Sequence, residues 1–559
     1  MKIAFVNLNS KYIHSSLAPW YLSAAVNNMK EPGVEVVVIE GTINESDDSI
    51  IKRIEDAEAD YLGFCCYIWN IKKIEKIGIF VAEKNKAVKI ILGGPEVSYR
   101  PADVLERYPF VETVICGEGE WPVTEYIKAV MAGKSVSNLP GICGREGGKI
   151  FVNEAYISTE LPPDPYSEEY FKSLNGRIAY FESSRGCPFS CAFCLSGRCG
   201  QVRFFPFAEA ARRLISLANS GTRTIKFVDR TFNAHHGRTN MWLRFLLEER
   251  GKSIPENVCF HFEVAGDLLR EDTLELLKSL PVGMVQLEIG LQSFDPHTLE
   301  AVTRKTDTLR LKENIRKLLS FENMHIHLDL IMGLPSEDMI KVGKSFNEAF
   351  CLRPHMLQVG FLKLLYGAAM REDTEAFPCE YSKEAPYEVI STPWLSEEDL
   401  KALHNMEDSV ERIYNSGRLI KTLDYVLKAS GMEPFDFFMH IGENMKDKVR
   451  AGMSFNDYEE VLAEVLLDLE NIDRKLLRDY MVIDRLETDA SGRIPSFLRI
   501  EDEKLKNVRK LLNKEESTKA ISGVKRGMAI LYTKNKAAYV DYINKNPITG
   551  RFEINYVDL

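Results

Sequence analysis

The sequence predicts an α/β protein made of two successive series of strands and helices, followed by a mostly helical region that ends in short strands. Short Val- and Ile-rich runs alternate with amphipathic segments over residues 1–132, and the same alternation resumes at residue 177. From about residue 395 long charged helical segments replace it. At 559 residues the chain also exceeds the size at which one hydrophobic core stops growing, so several domains are expected.

The composition limits the classes of function. Hydrophobic residues make up 45% of the chain and charged residues 27%, which is typical of a globular protein. The net charge of −11 disfavours a partner bound mainly through its phosphates, such as a nucleic acid. The first residues, MKIAFVNLNS, lack the cationic lead of a signal peptide, and no apolar run is long enough for a membrane helix. We therefore expect a cytoplasmic protein with reduced cysteines and no membrane partner.

Residues 1–132 predict a doubly wound domain. Its five apolar runs are 2–8, 34–41, 60–67, 88–94 and 111–119. Helical segments lie between and after them at 17–29, 47–57, 70–84 and 121–131. Continuous apolar runs separated by helices indicate parallel strands that are covered on both faces, so a flavodoxin-like (Rossmann-like) domain is expected. Ligands of such domains lie beyond the carboxyl ends of the strands, which makes the following loops candidate contacts.

Residues 133–176 are expected to form a connector, with a Gly-turned hairpin at 138–154 and a stiff Pro-rich stretch at 161–165. The second alternation predicts a partial (β/α)6 barrel over 177–390, with its active face at the carboxyl ends of the strands. Its six strands are expected at 177–184, 224–229, 258–264, 284–291, 325–333 and 355–365.

The C-terminal domain, 395–559, is expected to be mostly helical. The aromatic segment 433–444 is read as buried core, and the basic stretch 503–526 as a solvated helix face because acids interrupt it. The chain closes with two or three strands that have a turn at 546–550. The sequence indicates three roles for this domain: a lid, a substrate-selecting domain or a dimer contact.

Three cysteines directly follow the first barrel strand. Cys187, Cys191 and Cys194 have the spacing C-x3-C-x2-C, on a loop that also holds Gly186 and Pro188. Thiolates are the usual ligands of iron–sulfur clusters, and three of them leave one iron open for another ligand. A zinc site would need a second C-x2-C pair or His partners, which the sequence lacks. Cys199 lies five residues beyond Cys194 and is not expected to be a ligand.

The segment CPFSCAFC (187–194), with Phe193 as the aromatic, resembles the signature of the radical S-adenosylmethionine (SAM) superfamily. The resemblance implies a [4Fe-4S] cluster held by these three cysteines. It also implies that the open iron binds the amino and carboxylate groups of SAM, which one electron then cleaves to a 5′-deoxyadenosyl radical.

Further segments resemble the SAM-binding strands of that superfamily. LEIGLQS (287–293) is similar to its fourth-strand segment and DLIMGLPSED (329–338) to its fifth, while FLKLL (361–365) fits the sixth strand, whose backbone meets adenine. The residues that the resemblance assigns to SAM in these strands, and at the end of strand three, are Glu263, Glu288, Gln292, Ser293, Ile331 and Gly333.

The second barrel strand departs from the family pattern. Where the family often has Gly-Gly-Glu, this chain reads FVDRTFN (227–233). Asp229 either replaces the contact with the methionine amine of SAM or forms an ion pair with Arg230 in the barrel mouth, and the sequence leaves both interpretations open.

A doubly wound domain ahead of such a barrel resembles the cobalamin-binding radical SAM class. LGGPEVS (92–98) and ICGEGEWP (115–122) are similar to that class's segments after strands four and five. The residues that the resemblance assigns to cobalamin are Gly93, Gly94, Glu96, Gly117, Glu118, Gly119 and Glu120. The alternative for any single glycine is a tight turn. His14 lacks the D-x-H-x-x-G context of a cobalt ligand, so its loop is expected to contact the corrin or its tail instead.

The whole layout, including NSKYIHSSLAPWYL (9–22), resembles a subgroup whose C-terminal domain has no assigned role. The leading function that follows is the methylation of an unactivated carbon on a small molecule or peptide, with an electron donor such as flavodoxin or ferredoxin. One SAM would methylate cobalamin and a second would supply the radical. The alternatives are an oxidative cyclisation or rearrangement, a methylthiotransferase, and a non-catalytic cobalamin or redox sensor. Cys65, Cys66 and Cys116 lack a convincing spacing for a methylthiotransferase's second cluster.

Overall fold

The computed structural model describes residues 1–198, 200–450, 452–500, 505–506, 508 and 525–559. Cys199 and nearly all of the basic stretch 503–526 therefore lie outside the described residues. The chain divides into two compact units. The first contains Met1–Glu263 and Lys363–Val389, and the second contains Val264–Leu362 and Ile390–Leu559.

The N-terminal sheet has seven strands. They are β1 (Lys2–Asn9), β2 (Glu35–Thr42), β3 (Tyr61–Cys65), β4 (Lys89–Gly93), β5 (Val111–Ile115), β6 (Ile142–Glu146) and β7 (Lys149–Phe151). The first five strands are parallel in the order β2-β1-β3-β4-β5, which is the flavodoxin-like order and confirms the predicted fold. The predicted hairpin is present as β6 and β7, and it extends this sheet by pairing antiparallel to β5.

Helices cover both faces of this sheet. They are α1 (Ala18–Asn28), α2 (Asp47–Asp56), α3 (Ile71–Lys84), α4 (Pro95–Ser98), α5 (Pro101–Arg107) and α6 (Glu120–Met131). Successive residues of β1 point to opposite faces: Ile3 and Phe5 join one apolar cluster, while Ala4 and Val6 join the other. Both faces of β1 are thus buried, which explains its continuous apolar sequence.

The first unit also holds three parallel barrel strands. Its elements after the hairpin are α7 (Glu168–Leu174), β8 (Ala179–Phe181), β9 (Ser184–Arg185), β10 (Arg203–Phe204), α8 (Phe207–Ala218), β11 (Thr224–Phe227), α9 (His236–Glu249) and β12 (Cys259–Val264). The strand β11 lies between β8 and β12 and is parallel to both.

The second unit holds the other three barrel strands. Its elements in this region are α10 (Glu271–Ser279), β13 (Val285–Gln292), α11 (Pro296–Ala301), α12 (Thr308–Ser320), β14 (His325–Met332), α13 (Met339–Cys351) and β15 (Met356–Phe361). The strand β14 pairs in parallel with β13 and β15. All six predicted strands are present, as expected for a partial barrel.

The remaining elements follow the barrel. They are α14 (Ala369–Glu372), β16 (Glu380–Tyr381), β17 (Val389–Ser391), α15 (Glu397–Val410), a π-helical turn (Glu411–Asn415), α16 (Ile420–Ser430), α17 (Pro434–Met445), α18 (Phe455–Leu467), α19 (Arg474–Thr488), β18 (Arg526–Leu531), β19 (Lys536–Asp541) and β20 (Asn555–Asp558). The last three strands form an antiparallel sheet. Phe437 and Phe438 of α17 are fully buried, which confirms that the segment 433–444 is core. Across the described ranges, every helix is too short or too polar to cross a bilayer.

Candidate functional site

The cysteine loop is closed at its base by a short antiparallel ribbon. Arg185 of β9 pairs with Arg203 of β10, and Ser184 pairs with Phe204. Gly186 has a φ of +99°, and a Cβ there would come within 2.8 Å of the Gln201 carbonyl oxygen, so this turn requires glycine. The loop leaves the ribbon directly into the first cysteine, so its start is fixed by main-chain hydrogen bonds.

The three cysteines of this loop form no disulfide bond among the described residues. Cys191 is buried, whereas Cys187 and Cys194 are partly exposed. The amide of Cys194 donates to the Cys191 carbonyl at 3.0 Å, which makes a tight turn between the last two cysteines. A 3-10 turn, Leu195–Arg198, follows. Three cysteine thiols on one folded loop are the donor set that a cluster with an open iron needs, so these residues fit the group.

Asp229 holds the chain that enters this loop. Its Oδ1 accepts hydrogen bonds from the amides of Ser183 and Ser184 at 2.7 and 3.2 Å. Its Oδ2 accepts from the hydroxyls of the same serines at 2.6 and 2.8 Å. The ion pair with Arg230, one of the two interpretations that the sequence leaves open, is wrong: Arg230 is exposed, and both oxygens of the buried Asp229 accept from the serines. A contact of Asp229 with SAM stays a prediction.

Two arginines join the base of the cysteine loop to the loop after β5. Arg185 contacts Glu118 at 3.2 Å and Glu120 at 2.6 Å, and it also pairs with Glu182 at 3.0 Å. Arg203 pairs with Glu118 as well. Burial acts to raise the pKa of Glu118, but the hydrogen bond from Arg203 and the charge of Arg185 outweigh it and lower that pKa. The two glutamates predicted to meet the corrin periphery are thus already held by arginines.

The predicted cobalamin glycines divide into two pairs. Gly94 has a φ of +111° and Gly117 a φ of +87°, and a Cβ on them would lie 2.5 Å from the Cys66 carbonyl oxygen and 2.2 Å from the Tyr156 carbonyl oxygen. The protein's own backbone therefore explains both. A Cβ on Gly93 would meet nothing nearer than 3.7 Å, and on Gly119 only the flexible Leu22 side chain at 3.0 Å. Close approach of a ligand would explain glycine at these two positions.

Buried polar atoms lie at the carboxyl end of β1. Asn7 and Asn9 are 1% and 4% exposed, and Asn7 Nδ2 donates to Asn9 Oδ1 at 2.8 Å. Asn7 Oδ1 and Asn9 Nδ2 have no hydrogen-bond partner among the described residues. Buried polar atoms are normally paired, so a polar ligand at this edge fits these residues. The segment 7–16 that contains both residues is among the loops predicted to contact a ligand, although neither Asn7 nor Asn9 was singled out.

The remaining loops of this edge carry an aromatic pair and a bonded histidine. Tyr67 and Trp69, after β3, stack with ring centroids 4.4 Å apart. His14 Nδ1 lies 2.9 Å from the Tyr180 hydroxyl. Burial, assisted by the charges of Lys11, Lys226 and Arg177, lowers the pKa of His14. This contact gives His14 a partner in the protein, as expected if it does not ligate cobalt.

Glu263, also in the first unit, lies near the end of β12. Its carboxylate pairs with Lys226 at 3.1 Å, and its carbonyl accepts from the Phe232 amide at 2.8 Å. The side chain is partly exposed, so its contact with SAM stays a prediction.

In the second unit, the burial of β13 alternates strictly, and Glu288 lies on the less buried face. Glu288, His327 and Asp329 bring their polar atoms within 4.8 Å of one another, and His327 Nε2 lies 2.9 Å from Asp329 Oδ1. Neither His327 nor Asp329 was predicted as a site residue, because the segment 329–338 was compared only with the superfamily's SAM-binding strand. Ile331 lies on the same side of β14, and Gly333 follows the strand with a φ of +86°.

Gln292 and Ser293 differ in what they offer a ligand. Gln292 sits at a bulge with a φ of +71°, and its buried Oε1 has no hydrogen-bond partner among the described residues. This orphaned atom fits a ligand's hydroxyl or amine. Ser293 is 1% exposed and donates to Glu337 at 2.5 Å, so its hydroxyl is already engaged inside the protein. Burial raises the pKa of Glu337 to about 7, despite the hydrogen bonds from Ser293 and Ser345.

Comparison with known proteins matches three family models. Residues 3–127 match the B12 binding domain, residues 181–349 the radical SAM superfamily, and residues 375–548 a protein family of unknown function, DUF4080. The DUF4080 match confirms the predicted subgroup with a C-terminal domain of unassigned role.

Among curated relatives, the chain is 26% identical over 334 residues to the cobalamin-dependent radical SAM methyltransferase TokK of Streptomyces tokunonensis, covering 56% of this chain and 46% of TokK. It is 24% identical over 212 residues to the anaerobic magnesium-protoporphyrin IX monomethyl ester cyclase of Rubrivivax gelatinosus, covering 35% of this chain and 38% of the cyclase. The chain thus spans less than half the length of either relative.

Among solved structures, the fold is similar to that of OxsB, described as a cobalamin-dependent S-adenosylmethionine radical enzyme with aqua-cobalamin and S-adenosylmethionine bound. The TM-score is 0.59 at 15% identity, covering 93% of this chain and 81% of OxsB. The likeness confirms the predicted order of a doubly wound domain, a barrel domain and a helical region. The chain therefore carries, in this order, regions that match the B12 binding domain, the radical SAM superfamily and DUF4080.

Proposed function

We propose that the chain is a cobalamin-dependent radical SAM enzyme that methylates an unactivated carbon of a small molecule or peptide. One observation carries this proposal. Arg185 and Arg203, at the base of the cysteine loop, form ion pairs with Glu118, in the loop after β5, and Glu120, the first residue of α6, both in the B12-binding domain. Both predicted cofactor loops therefore belong to one compact unit, as a reaction that uses both cofactors requires.

Cys187, Cys191 and Cys194 would hold the cluster, while the edge formed by Asn7, Asn9 and the loops after β3 to β5 would hold cobalamin. When bound, the cluster supplies the electron that cleaves SAM, and cobalamin supplies the methyl group. The chain's own residues position these groups. Asp229 fixes the entry to the cysteine loop through four hydrogen bonds.

The proposal includes a cytoplasmic location and an electron donor of the flavodoxin or ferredoxin class. The lack of a disulfide bond at the three loop cysteines, among the residues that the structure describes, supports a reducing compartment. The partly exposed thiols of Cys187 and Cys194 support an outside source of electrons that reaches the cluster.

A second candidate is an oxidative cyclisation or rearrangement, favoured by the similarity to the cyclase of Rubrivivax gelatinosus. The two reactions differ in what they leave from SAM. Methylation forms both S-adenosylhomocysteine and 5′-deoxyadenosine, whereas cyclisation forms only 5′-deoxyadenosine.

The deciding experiment needs no substrate. The full chain is reconstituted anaerobically with iron, sulfide and cobalamin, then given SAM and a reductant. Methylation predicts both SAM products, and the Cys191→Ala variant should form no 5′-deoxyadenosine. Release of 5′-deoxyadenosine alone would favour cyclisation. A protein that binds SAM but never cleaves it would support a sensor, and failure to bind cobalamin would refute the assignment of the N-terminal domain.

A further inference from the structure

The segment Lys363–Val389, here called the strap, packs within the first unit although it follows the last barrel strand. It contacts the cysteine loop at two points. The amide of Met370 donates to the carbonyl of Ala192, which lies between the second and third cysteines, at 3.0 Å. Glu372 forms an ion pair with Arg198, at the end of the turn that follows the cysteines. One end of the strap is thus attached to the proposed cluster ligands' own loop.

The strap also contacts the helix α4, which follows the β4 loop of the B12-binding domain. The Tyr387 hydroxyl donates to Glu96, a carboxylate 4% exposed that also pairs with Arg100 at 3.0 Å. Gly367 packs closely against the ring of Tyr99: a Cβ on this glycine would come within 2.4 Å of the ring. Glu96, predicted from the resemblance to meet cobalamin, is therefore held by the strap.

An aromatic ring between two arginines connects these contacts. The Tyr366 ring has the Arg100 guanidinium 3.8 Å from its centroid and the Arg371 guanidinium 3.4 Å from it. Arg371 also lies over the ring of Tyr387 at 4.6 Å. The Arg100 side chain is only 10% exposed, and cation–π contacts shielded from water are stronger than exposed ones, so this stack helps to join the strap to the B12-binding domain.

We propose that the strap is a positioning element that couples the cysteine loop to α4, so that occupation of the cluster site changes the affinity of the cobalamin site. The proposal rests on the proposed function. The DUF4080 match starts at residue 375, inside the strap, so one role of that domain is to supply Tyr387 to this joint. Tyr387 acts through Glu96 and Arg371 and is a positioning residue rather than a catalytic one.

The test compares cobalamin affinity with and without the cluster. Coupling between two sites is reciprocal and is typically about 5-fold to 150-fold in affinity, so the reconstituted cluster should change the wild-type Kd for cobalamin by at least about 5-fold. Tyr387→Phe removes only the hydroxyl and should reduce the change to less than about 2-fold. Tyr381→Phe is the matched control, because it removes a strap hydroxyl that has no hydrogen bond among the described residues and should behave as wild type.

A second readout does not depend on cobalamin. In hydrogen–deuterium exchange of the full chain, cluster assembly should slow exchange at residues 93–107 in the wild type and in Tyr381→Phe, but not in Tyr387→Phe. Equal exchange in all three proteins, or an unchanged coupling in Tyr387→Phe, would overturn the proposal. Absence of cobalamin binding to every protein would instead refute the proposed function, and the exchange result would still decide the role of the strap.

Discussion

Replacing Asp229 should disorder the entrance to the cysteine loop. The Asp229→Ala variant leaves the buried amides of Ser183 and Ser184 without an acceptor, and it also removes the partner of their two hydroxyls. Each buried group left unpaired costs about 1–3 kcal/mol, so the two amides alone give a loss of about 2–6 kcal/mol. Because about 1.4 kcal/mol corresponds to a tenfold change, local opening of this strand should increase by more than about tenfold.

The assay is hydrogen–deuterium exchange over residues 183–194 in the cluster-free protein, with iron per chain measured after reconstitution. Asp229→Ala should exchange faster at these amides and hold less iron. The matched control is Asp229→Asn, which keeps one oxygen for the amides while the serine hydroxyls turn to accept from its amide group. Wild-type exchange and full iron content in Asp229→Ala would refute the reasoning.

Three further predictions test separate parts of the site. Gly93→Ala should fold normally, because its Cβ meets nothing nearer than 3.7 Å, yet it should bind cobalamin more weakly in a titration; unchanged affinity would remove Gly93 from the site. Burial raises the pKa of Glu337 to about 7 from 4.5, so the folded chain keeps a proton that the unfolded chain releases. The free energy of unfolding should therefore fall by up to about 3 kcal/mol as the pH rises from about 4.5 to about 7. Urea midpoints measured across this range should show the fall in the wild type and not in Glu337→Gln. The same dependence of the midpoint on pH in both proteins would contradict the prediction. Cys199→Ala should keep the cluster's iron content and spectrum, since Cys199 lies outside the C-x3-C-x2-C motif, and loss of the cluster would show that the motif is incomplete.

The strands were predictable because burial on both faces leaves a continuous apolar signal. The expected runs 2–8 and 325–333 became β1 and β14 within one residue at each end. The position of the hairpin β6–β7 in the sheet was not predictable, because its antiparallel pairing with β5 depends on contacts between residues that no local sequence pattern reveals.

The site was predictable where the chemistry is local and unpredictable where it depends on distant partners. The spacing of the three cysteines lies within eight residues and carries its meaning alone. Glu118 and Glu120 were predicted as ligand contacts, whereas the structure pairs them with Arg185 and Arg203. These arginines are 65 to 85 residues away in the sequence, so no local pattern revealed the pairing. The contact of the strap with α4 was still harder to predict, since its partners Tyr387 and Glu96 are 291 residues apart in the sequence.

The ribbon of β9 and β10 affects how readily the protein could rebuild its cluster after oxygen has destroyed it. Conformational entropy opposes the gathering of three thiolates from a flexible chain, at about 1–2 kcal/mol for each residue fixed. Here the paired ribbon, Gly186 and Asp229 order the entrance of the loop through protein contacts alone. A chain that loses its cluster to oxygen should therefore keep the entrance of the loop folded, and rebuilding the cluster in place should require less reordering than first assembly on an unfolded segment.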